Sequence, residues 1–298
     1  MIGGRLVVPK GAHGPPYYRF NAAEKQVYLS AYHIGPSTVR HYVDALNRFK
    51  PEVLTGYAYS HVTLARLMLD RGLSLNYQPA ALVLGSEKLT TETKLQLQAA
   101  IGARAFEEYG SVENCLLATE CEAGSLHVSS DFGIVELLDD VGAPVAPGQP
   151  GRVVATCLLN YTQPLIRYEL GDIASWSLDP CRCGRSQHPV LREVVGRVDD
   201  VLTGPDGRQV VMFHGVFLGL PSVHEGQLVQ ETTSRIAARV VAPGGLSAGE
   251  SSQIVARIRQ RLGDVTVRVD TVPHIERTER GKFRAVVSLL PKPGAAGE

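Results

Sequence analysis

The stretch Ala81-Leu-Val-Leu-Gly85-Ser-Glu-Lys-Leu-Thr90-Thr-Glu-Thr-Lys-Leu95-Gln-Leu-Gln-Ala-Ala100-Ile-Gly-Ala-Arg-Ala105-Phe-Glu-Glu-Tyr-Gly110 decides the fold. Ala81 to Leu84 reads as a buried strand ending at Gly85, Thr90 to Ile101 as a helix, and Ala105 to Tyr109 as a second strand ending at Gly110. The same alternation extends upstream. Val39, Tyr42, Val43, Leu46 and Phe49 recur at three- and four-residue steps before Pro51, the spacing of an amphipathic helix. Val53 and Leu54 lead to Gly56, and a further helix follows with Ser60 as its expected cap, Leu64, Leu67 and Met68 on one face, and Gly72 as its stop. Such βα alternation implies a mostly parallel sheet covered by helices, in which ligands sit beyond the carboxyl ends of the strands. Gly85 and Gly110 therefore mark a candidate rim.

Downstream the period changes. From Leu126 to Trp176 the chain breaks into short β-rich segments punctuated by Gly and Pro, and Gly142 to Gly151 holds three prolines. These features predict a small antiparallel subdomain. After the break from Asp179 to His188 and beyond Gly196, strands are expected near Gln227 to Thr233, Ile236 to Val241, Val265 to Val272 and Arg284 to Leu290. Between them Ser247-Ala-Gly-Glu250 fits a capping box. Ile254, Val255, Ile258 and Leu262 share one face of the helix it opens, and Gly263 suits its stop. The fold class expected is α/β: the C-terminal portion of a mostly parallel α/β large domain, with a small β-rich subdomain, over residues 1–198, then a small α+β domain over 199–298.

The 298 residues are enough for two domains with cores that need no disulfide staples. Lys and Arg total 30 and Asp and Glu total 30, so no sustained basic face points to nucleic acid or an acidic membrane. The longest apolar runs, Val210 to Phe213 and Val153 to Leu159, fall far short of the roughly 20 residues that span a bilayer. The first thirty residues carry Arg5, Lys10, Arg19, Glu24 and Lys25 without a signal-peptide core. A cytoplasmic location is therefore expected, with the five cysteines as thiols or metal ligands rather than disulfides.

Four short segments occur in an informative order: Gly85-Ser86-Glu87, Tyr109-Gly110-Ser111-Val112-Glu113, Arg167-Tyr168-Glu169-Leu170-Gly171-Asp172, and Gly196-Arg197-Val198-Asp199-Asp200. A fifth, Arg277-Thr-Glu-Arg-Gly-Lys282-Phe-Arg284, follows near the C-terminus. With these motifs the chain resembles the adenylate-forming (acyl-CoA synthetase-like) enzymes, and within them the phenylacetate-CoA ligase and coenzyme F390 synthetase-like branch. The resemblance implies ATP-dependent activation of a small carboxylic acid, an aryl acid by family default, followed by transfer to CoA or another acceptor. It implies that Gly85, Ser86, Glu87, Tyr109, Gly110 and Ser111 bind nucleotide, with the Tyr109 ring on adenine. Glu113, starting a helix at the rim, would be the magnesium ligand. Asp172, on a turn after Gly171, would accept from the ribose hydroxyls, and Arg197 would contact ribose or phosphate. Lys282 would stabilise the pentavalent phosphate, and Asp199 would be the hinge about which the small domain rotates.

The cysteines form a second constellation. Cys121 and His127 are six apart, and Cys181-Arg-Cys183-Gly184 follows sixty residues after Cys121. Three thiolates and an imidazole are a closed tetrahedral set for Zn²⁺ with no open position for catalysis. The C-x-C spacing is tighter than the usual C-x₂-C, and Cys115 or His188 offers an alternative to His127. Related members of the branch carry a structural zinc at matching positions. Cys157 lies in an apolar run and is expected in the core.

Two departures from the family pattern stand out. No Ser/Thr/Gly-rich loop of the kind that wraps the ATP phosphates precedes these motifs, and no G-x-x-x-x-G-K-[ST] is present. Val112 stands where many relatives have Thr or Ser. A non-catalytic or split-enzyme descendant, acting as a nucleotide-binding or protein-interaction module, is therefore the alternative function, with a homodimer or a missing N-terminal partner as its expected company.

Overall fold

The computed structural model describes residues 1–298 except 10, 11, 13, 198–201, 207–208, 211–215, 279–282 and 291–298, with the side chains of 196–197 and 209–210 also outside the description. The described residues divide into two compact units. One holds Met1–Leu170 and Ala174–Val194, the other Gly171–Ile173, Val195–Thr278 and the residues from Phe283.

The first unit opens with β1 (Ile2–Gly3), β2 (Tyr18–Asn21), β3 (Gln26–Ser30), α1 (Val39–Phe49), β4 (Val53–Tyr57), α2 (Ala58–Asp70), β5 (Ala81–Gly85), α3 (Thr91–Ile101) and β6 (Ala105–Gly110). Shorter strands follow: β7 (Leu117–Glu120), β8 (Leu126–Val128), β9 (Gly133–Leu138), β10 (Pro150–Cys157), β11 (Tyr168–Trp176) and β12 (Val190–Arg197). They form one sheet of twelve strands in the order β2-β3-β1-β4-β5-β6-β7-β8-β12-β11-β10-β9. The stretch β3-β1-β4-β5-β6 is parallel, while β6-β7-β8-β12 and β10-β9 pair antiparallel. The expected β-rich subdomain is thus continuous with the parallel sheet, because β7 turns straight back along β6 with Gly110 opposite Leu117.

The parallel half buries Tyr42, Leu46, Met68, Leu82, Leu84 and Leu97, contributed by α1, α2, α3 and β5, in a single cluster. Each such side chain contributes about 1.5–3 kcal/mol by leaving water. The Tyr42 hydroxyl donates to the Ser30 carbonyl at 2.6 Å, so its one polar group is satisfied inside that core. A second cluster, with Cys115, Leu116, Val128, Leu137, Val153, Cys157 and Leu191, fills the antiparallel half. Cys157 thus lies in the core, as its apolar run predicts.

Helix ends follow local chemistry. Thr90 caps α3 by accepting from the Thr93 amide, and Gly102 closes it in the left-handed region. Helix α2 differs from expectation. It starts at Ala58 rather than after Ser60, and its N-cap Tyr57 makes no side-chain capping bond to the first turn. The carboxylate of Glu87 takes that role from the neighbouring loop, accepting from the Tyr59 amide at 3.3 Å and satisfying one of the free N–H groups of the first turn. The β2–β3 hairpin carried no strong alternation in the sequence. Its turn is set by Asn21, whose Oδ1 accepts from the Ala23 and Glu24 amides at 3.1 and 3.3 Å.

The second unit carries β13 (Leu202–Thr203), β14 (Gln209–Val210), β15 (Glu225–Thr232), β16 (Arg235–Val241), α4 (Ala248–Leu262), β17 (Thr266–Thr271) and β18 (Val286–Ser288). Its main sheet runs β17-β16-β15-β18. Ile254, Ile258 and Leu262 of α4 pack with Leu228, Ile236 and Val240 in its core. The predicted capping box is complete: Ser247 accepts from the Glu250 amide and Glu250 accepts from the Ser247 amide. Glu250 also accepts from the Ser222 amide, and the Ser247 hydroxyl followed by these amides holds its carboxyl down at about 2. No helix among the described residues is long and apolar enough to cross a membrane.

Candidate functional site

Parallel pairing brings two of the sequence motifs side by side. Leu82 pairs with Ala105, Val83 with Phe106 and Leu84 with Glu107, so Gly85-Ser86-Glu87 and Tyr109-Gly110 leave the sheet at adjacent carboxyl ends. A Cβ on Gly85 would lie 2.9 Å from the Glu108 carbonyl oxygen, so only glycine lets β5 approach β6 this closely. Ser86 then takes φ of 69°. Asn114 (φ 60°) and Arg167 (φ 50°) lie in the other motif loops, making three of the five described non-glycine residues with positive φ. Backbone of this kind costs on the order of 1–3 kcal/mol and concentrates where function fixes a loop.

Glu113 does not start a helix. Residues 111–116 link β6 to its antiparallel neighbour β7, and the Asn114 amide closes a turn on the Ser111 carbonyl at 3.1 Å. The hairpin return, together with left-handed Asn114, overrides the helix signal of the Ser111–Glu113 pattern. Glu113 is exposed, and the Tyr168 hydroxyl donates toward its Oε1 at 3.4 Å, so the third motif reaches the second. Ser111 lies 3.7 Å from the Cys115 sulfur, and Val112 is 88% exposed. Tyr109 packs against the cluster of the antiparallel half.

Asp172 sits inside strand β11 rather than on a turn, and it is buried. The turn-like signal came from Gly171, whose φ of 74° kinks the strand without ending it. Arg197 closes β12 as backbone. The hinge residue Asp199 and the lysine Lys282 lie outside the described residues.

The cysteine–histidine set is brought together. Ligand atoms of Cys121, His127, Cys181 and Cys183 all lie within 4.8 Å of one another. Cys121 ends its strand in a tight turn, where its amide donates to the Ser125 carbonyl at 2.9 Å, and His127 lies in β8 opposite Val190 of β12. Cys121 Sγ is 3.6 Å from Cys181 Sγ, and Cys183 Sγ is 3.3 Å from His127 Nε2. A tetrahedral zinc with Zn–S of about 2.3 Å sets its ligand sulfurs ~3.8 Å apart, so the donor set matches that ion in type, number and spacing. His127 Nδ1 faces the His188 carbonyl at 3.3 Å, which aims Nε2 inward. The two alternatives to His127 are engaged elsewhere: Cys115 with Ser111, and His188 through Nδ1 with the Val128 carbonyl at 3.1 Å. Hydrogen bonds from Ser125, then from the Cys183 amide and His127, pull the Cys181 thiol down to about 6.

Some charged and polar groups carried no sequence signal. Lys94 of α3 meets both oxygens of Glu120 on β7 at 2.6 Å, and the same carboxylate accepts from the Glu107 amide at 2.7 Å. That bridge pins helix to sheet between the rim and the cysteine turn. His61 of α2 is 2% exposed, with Nδ1 2.8 Å from the Tyr57 carbonyl, and burial lowers its pKa to about 4.

Comparison with known proteins fits this arrangement. Residues 202–289 match the family described as the CapK C-terminal domain. Protein CapK of Staphylococcus aureus is 27% identical over 201 residues, covering 67% of this chain and 43% of that protein. Phenylacetate-coenzyme A ligase of Thermus thermophilus is 30% identical over 278 residues, covering 81% of this chain and 61% of the ligase. The chain thus spans between two fifths and two thirds of the length of these curated relatives. Among solved structures, 2-hydroxyisobutyryl-CoA ligase in the postadenylation state superposes with a TM-score of 0.70 at 23% identity, over 89% of this chain and 61% of that one. The anthranilate CoA ligase in complex with anthranoyl-AMP gives 0.62 at 18% identity, over 84% and 51%. Sequence likeness to a ligase and the shared fold agree: the chain is a homologue of phenylacetate-coenzyme A ligase, and its structural neighbours are acid-CoA ligases of the adenylate-forming superfamily.

Proposed function

We propose that this chain carries out, or contributes the nucleotide-binding and catalytic residues for, ATP-dependent activation of a carboxylic acid. The observation that supports this best is the adjacency of Gly85–Glu87 and Tyr109–Glu113 at the carboxyl ends of neighbouring parallel strands, in a homologue of phenylacetate-coenzyme A ligase. A carboxylate oxygen of the acid attacks the α-phosphorus of ATP, and pyrophosphate leaves. The thiolate of CoA, or another nucleophile, then attacks the acyl carbon, and AMP leaves. The aryl acids are the first class to try, since phenylacetate and anthranilate name two of the related ligases.

In this reading the Tyr109 ring stacks on adenine and Asp172 accepts from the ribose hydroxyls. Arg197 contacts ribose or phosphate, and Glu113 holds magnesium, which offsets the charge of the phosphates when bound. Lys282 places a cation on the oxygens of the five-coordinate phosphorus, and Asp199 is the hinge of the small domain. Zinc at Cys121, His127, Cys181 and Cys183 is structural, because four protein donors leave no open position. It would tie the β7–β8 turn to the segment between β11 and β12.

The test is acid-dependent exchange of pyrophosphate into ATP across aryl and short aliphatic acids, with Lys282→Ala as control. Exchange that falls on the order of 100-fold in the variant is the expected result. Folded protein that binds AMP but exchanges with no acid would replace catalysis by a nucleotide-binding module.

A further inference from the structure

We propose that the thiol–imidazole cluster is also a peroxide-responsive latch, in which oxidation joins Cys121 to Cys181 and ejects the metal. Three observations carry it. The sulfurs of Cys121 and Cys181 are 3.6 Å apart, so a bond of about 2.05 Å needs a closing movement of ~1.6 Å. The remaining cysteine sulfur of the cluster, Cys183, lies closer to the His127 ring nitrogen, at 3.3 Å, than Cys121 and Cys181 lie to each other, although all four donor atoms stand within 4.8 Å. The pair is also asymmetric: Cys181 is part-exposed on a segment without helix or strand, whereas Cys121 is 1% exposed at the end of β7. Of these two thiols an oxidant from solvent therefore meets Cys181 first, and the buried Cys121 is the resolving thiol beneath it.

The chemistry balances with hydrogen peroxide as oxidant. The Cys181 thiolate attacks one peroxide oxygen, the O–O bond breaks, and with one proton taken up the products are Cys181 sulfenic acid and water. The Cys121 thiolate then attacks the Cys181 sulfur and, with a second proton, water leaves as the disulfide forms. Two thiolates lose two electrons to one peroxide. Cys183 and His127 remain, and two donors do not retain zinc against solvent. Cys115 and Cys157 are bystanders: both are buried, the first beside Ser111 and the second bonded to the Asn114 carbonyl and the Asn160 amide.

Metal ejection rests on the zinc reading above, whereas disulfide formation does not, and the experiment separates the two. The full chain is assayed for bound zinc, then treated with hydrogen peroxide, alkylated and digested with trypsin. Cleavage after Arg182 places Cys181 on residues 168–182 and Cys183 on residues 183–185, while Cys121 lies on residues 105–152. A cross-linked pair of 105–152 with 168–182, assigned to Cys121 rather than Cys115 by fragmentation, is the expected product. One zinc should appear in solution per cross-link, and dithiothreitol with added zinc should restore the starting state. Protein stripped with a chelator should give the same cross-link, so a chain that carries no zinc would count against the metal reading alone. A link between 168–182 and 183–185, Cys181 oxidised to sulfinic acid without a cross-link, or cross-linked protein that keeps its zinc would overturn the latch.

Discussion

The cysteine–histidine cluster and the rim of β5 and β6 lie on the same sheet but are built in opposite ways. In the cluster, four donor atoms already stand within 4.8 Å, and the histidine is aimed by a second contact to the His188 carbonyl. At the rim, the side chains proposed to act sit on loops: Glu113 is exposed on a hairpin, its neighbour Val112 is 88% exposed, and Ser86 and Asn114 hold positive φ. A structural set is complete before its ligand arrives, because its task is to fix the chain. A set meant to act on a substrate keeps its reactive groups open, and its order comes from the ligand. Stability and activity should therefore separate between the two regions.

The largest stability effect should come from the cluster. Cys121→Ser is expected to destabilise the first unit by about 4 kcal/mol or more, the range reached when a metal site is lost, and to release zinc. Chelation of the native chain should lower the melting temperature by a similar amount, and an unchanged melting curve would remove the contrast with the rim. A second large term belongs to His61, in the helix behind the rim. Burial lowers its pKa from 6.5 to about 4, so the imidazole is neutral in the fold while the unfolded chain binds a proton below pH 6.5. The sign is fixed by that difference. Stability is whole above pH 6.5 and declines as pH falls toward 4, by about 3 kcal/mol in all. His61→Phe should flatten urea-denaturation midpoints across that window, and an equal slope in the variant would assign it to other groups.

A smaller effect is expected in the second unit. Ser247→Ala removes a cap that accepts from the Glu250 amide, at a cost of about 1 kcal/mol read from the denaturation midpoint. The depressed Glu250 carboxyl adds stability that is present above its ordinary range and is lost as pH falls from about 4.5 toward 2. A Glu250→Gln chain should lack that acid limb.

What could be read from the sequence divides along physical lines. Helices decided by local sequence were legible: Thr90 to Ile101 as α3, and α4 with its Ser247–Glu250 box, are set within a few residues. The thiol and imidazole donors were legible as residue types, but the spacing alone left Cys115 and His188 as alternatives to His127, and it is the pairing of β8 with β12 that brings His127 beside the C-x-C segment. Elements decided by distant partners were not. The α2 start moved to Ala58 because Glu87, 28 residues later, bonds the Tyr59 amide. The helix expected at Glu113 became a hairpin because β7 pairs back on β6. The Lys94–Glu120 bridge joins residues 26 apart with no motif to announce it.

The smallest stability effect is also the sharpest test of the comparison. Glu113 is exposed, and the only hydrogen bond described for it is the one accepted from the Tyr168 hydroxyl at 3.4 Å. Glu113→Gln keeps the shape and an acceptor oxygen for that bond but removes the charge. Its denaturation midpoint should therefore shift by less than about 0.5 kcal/mol, as for a surface change away from any packed feature. If Glu113 holds magnesium on ATP, the same variant should lower acid-dependent exchange on the order of 100-fold and raise the magnesium concentration needed for half the maximal rate. Residual exchange at saturating magnesium would fit a lost ligand, whereas a lost fold would take zinc and the midpoint with it. A variant that is as active as the parent at every magnesium concentration would place the metal elsewhere and leave Glu113 as a hairpin residue bonded to Tyr168.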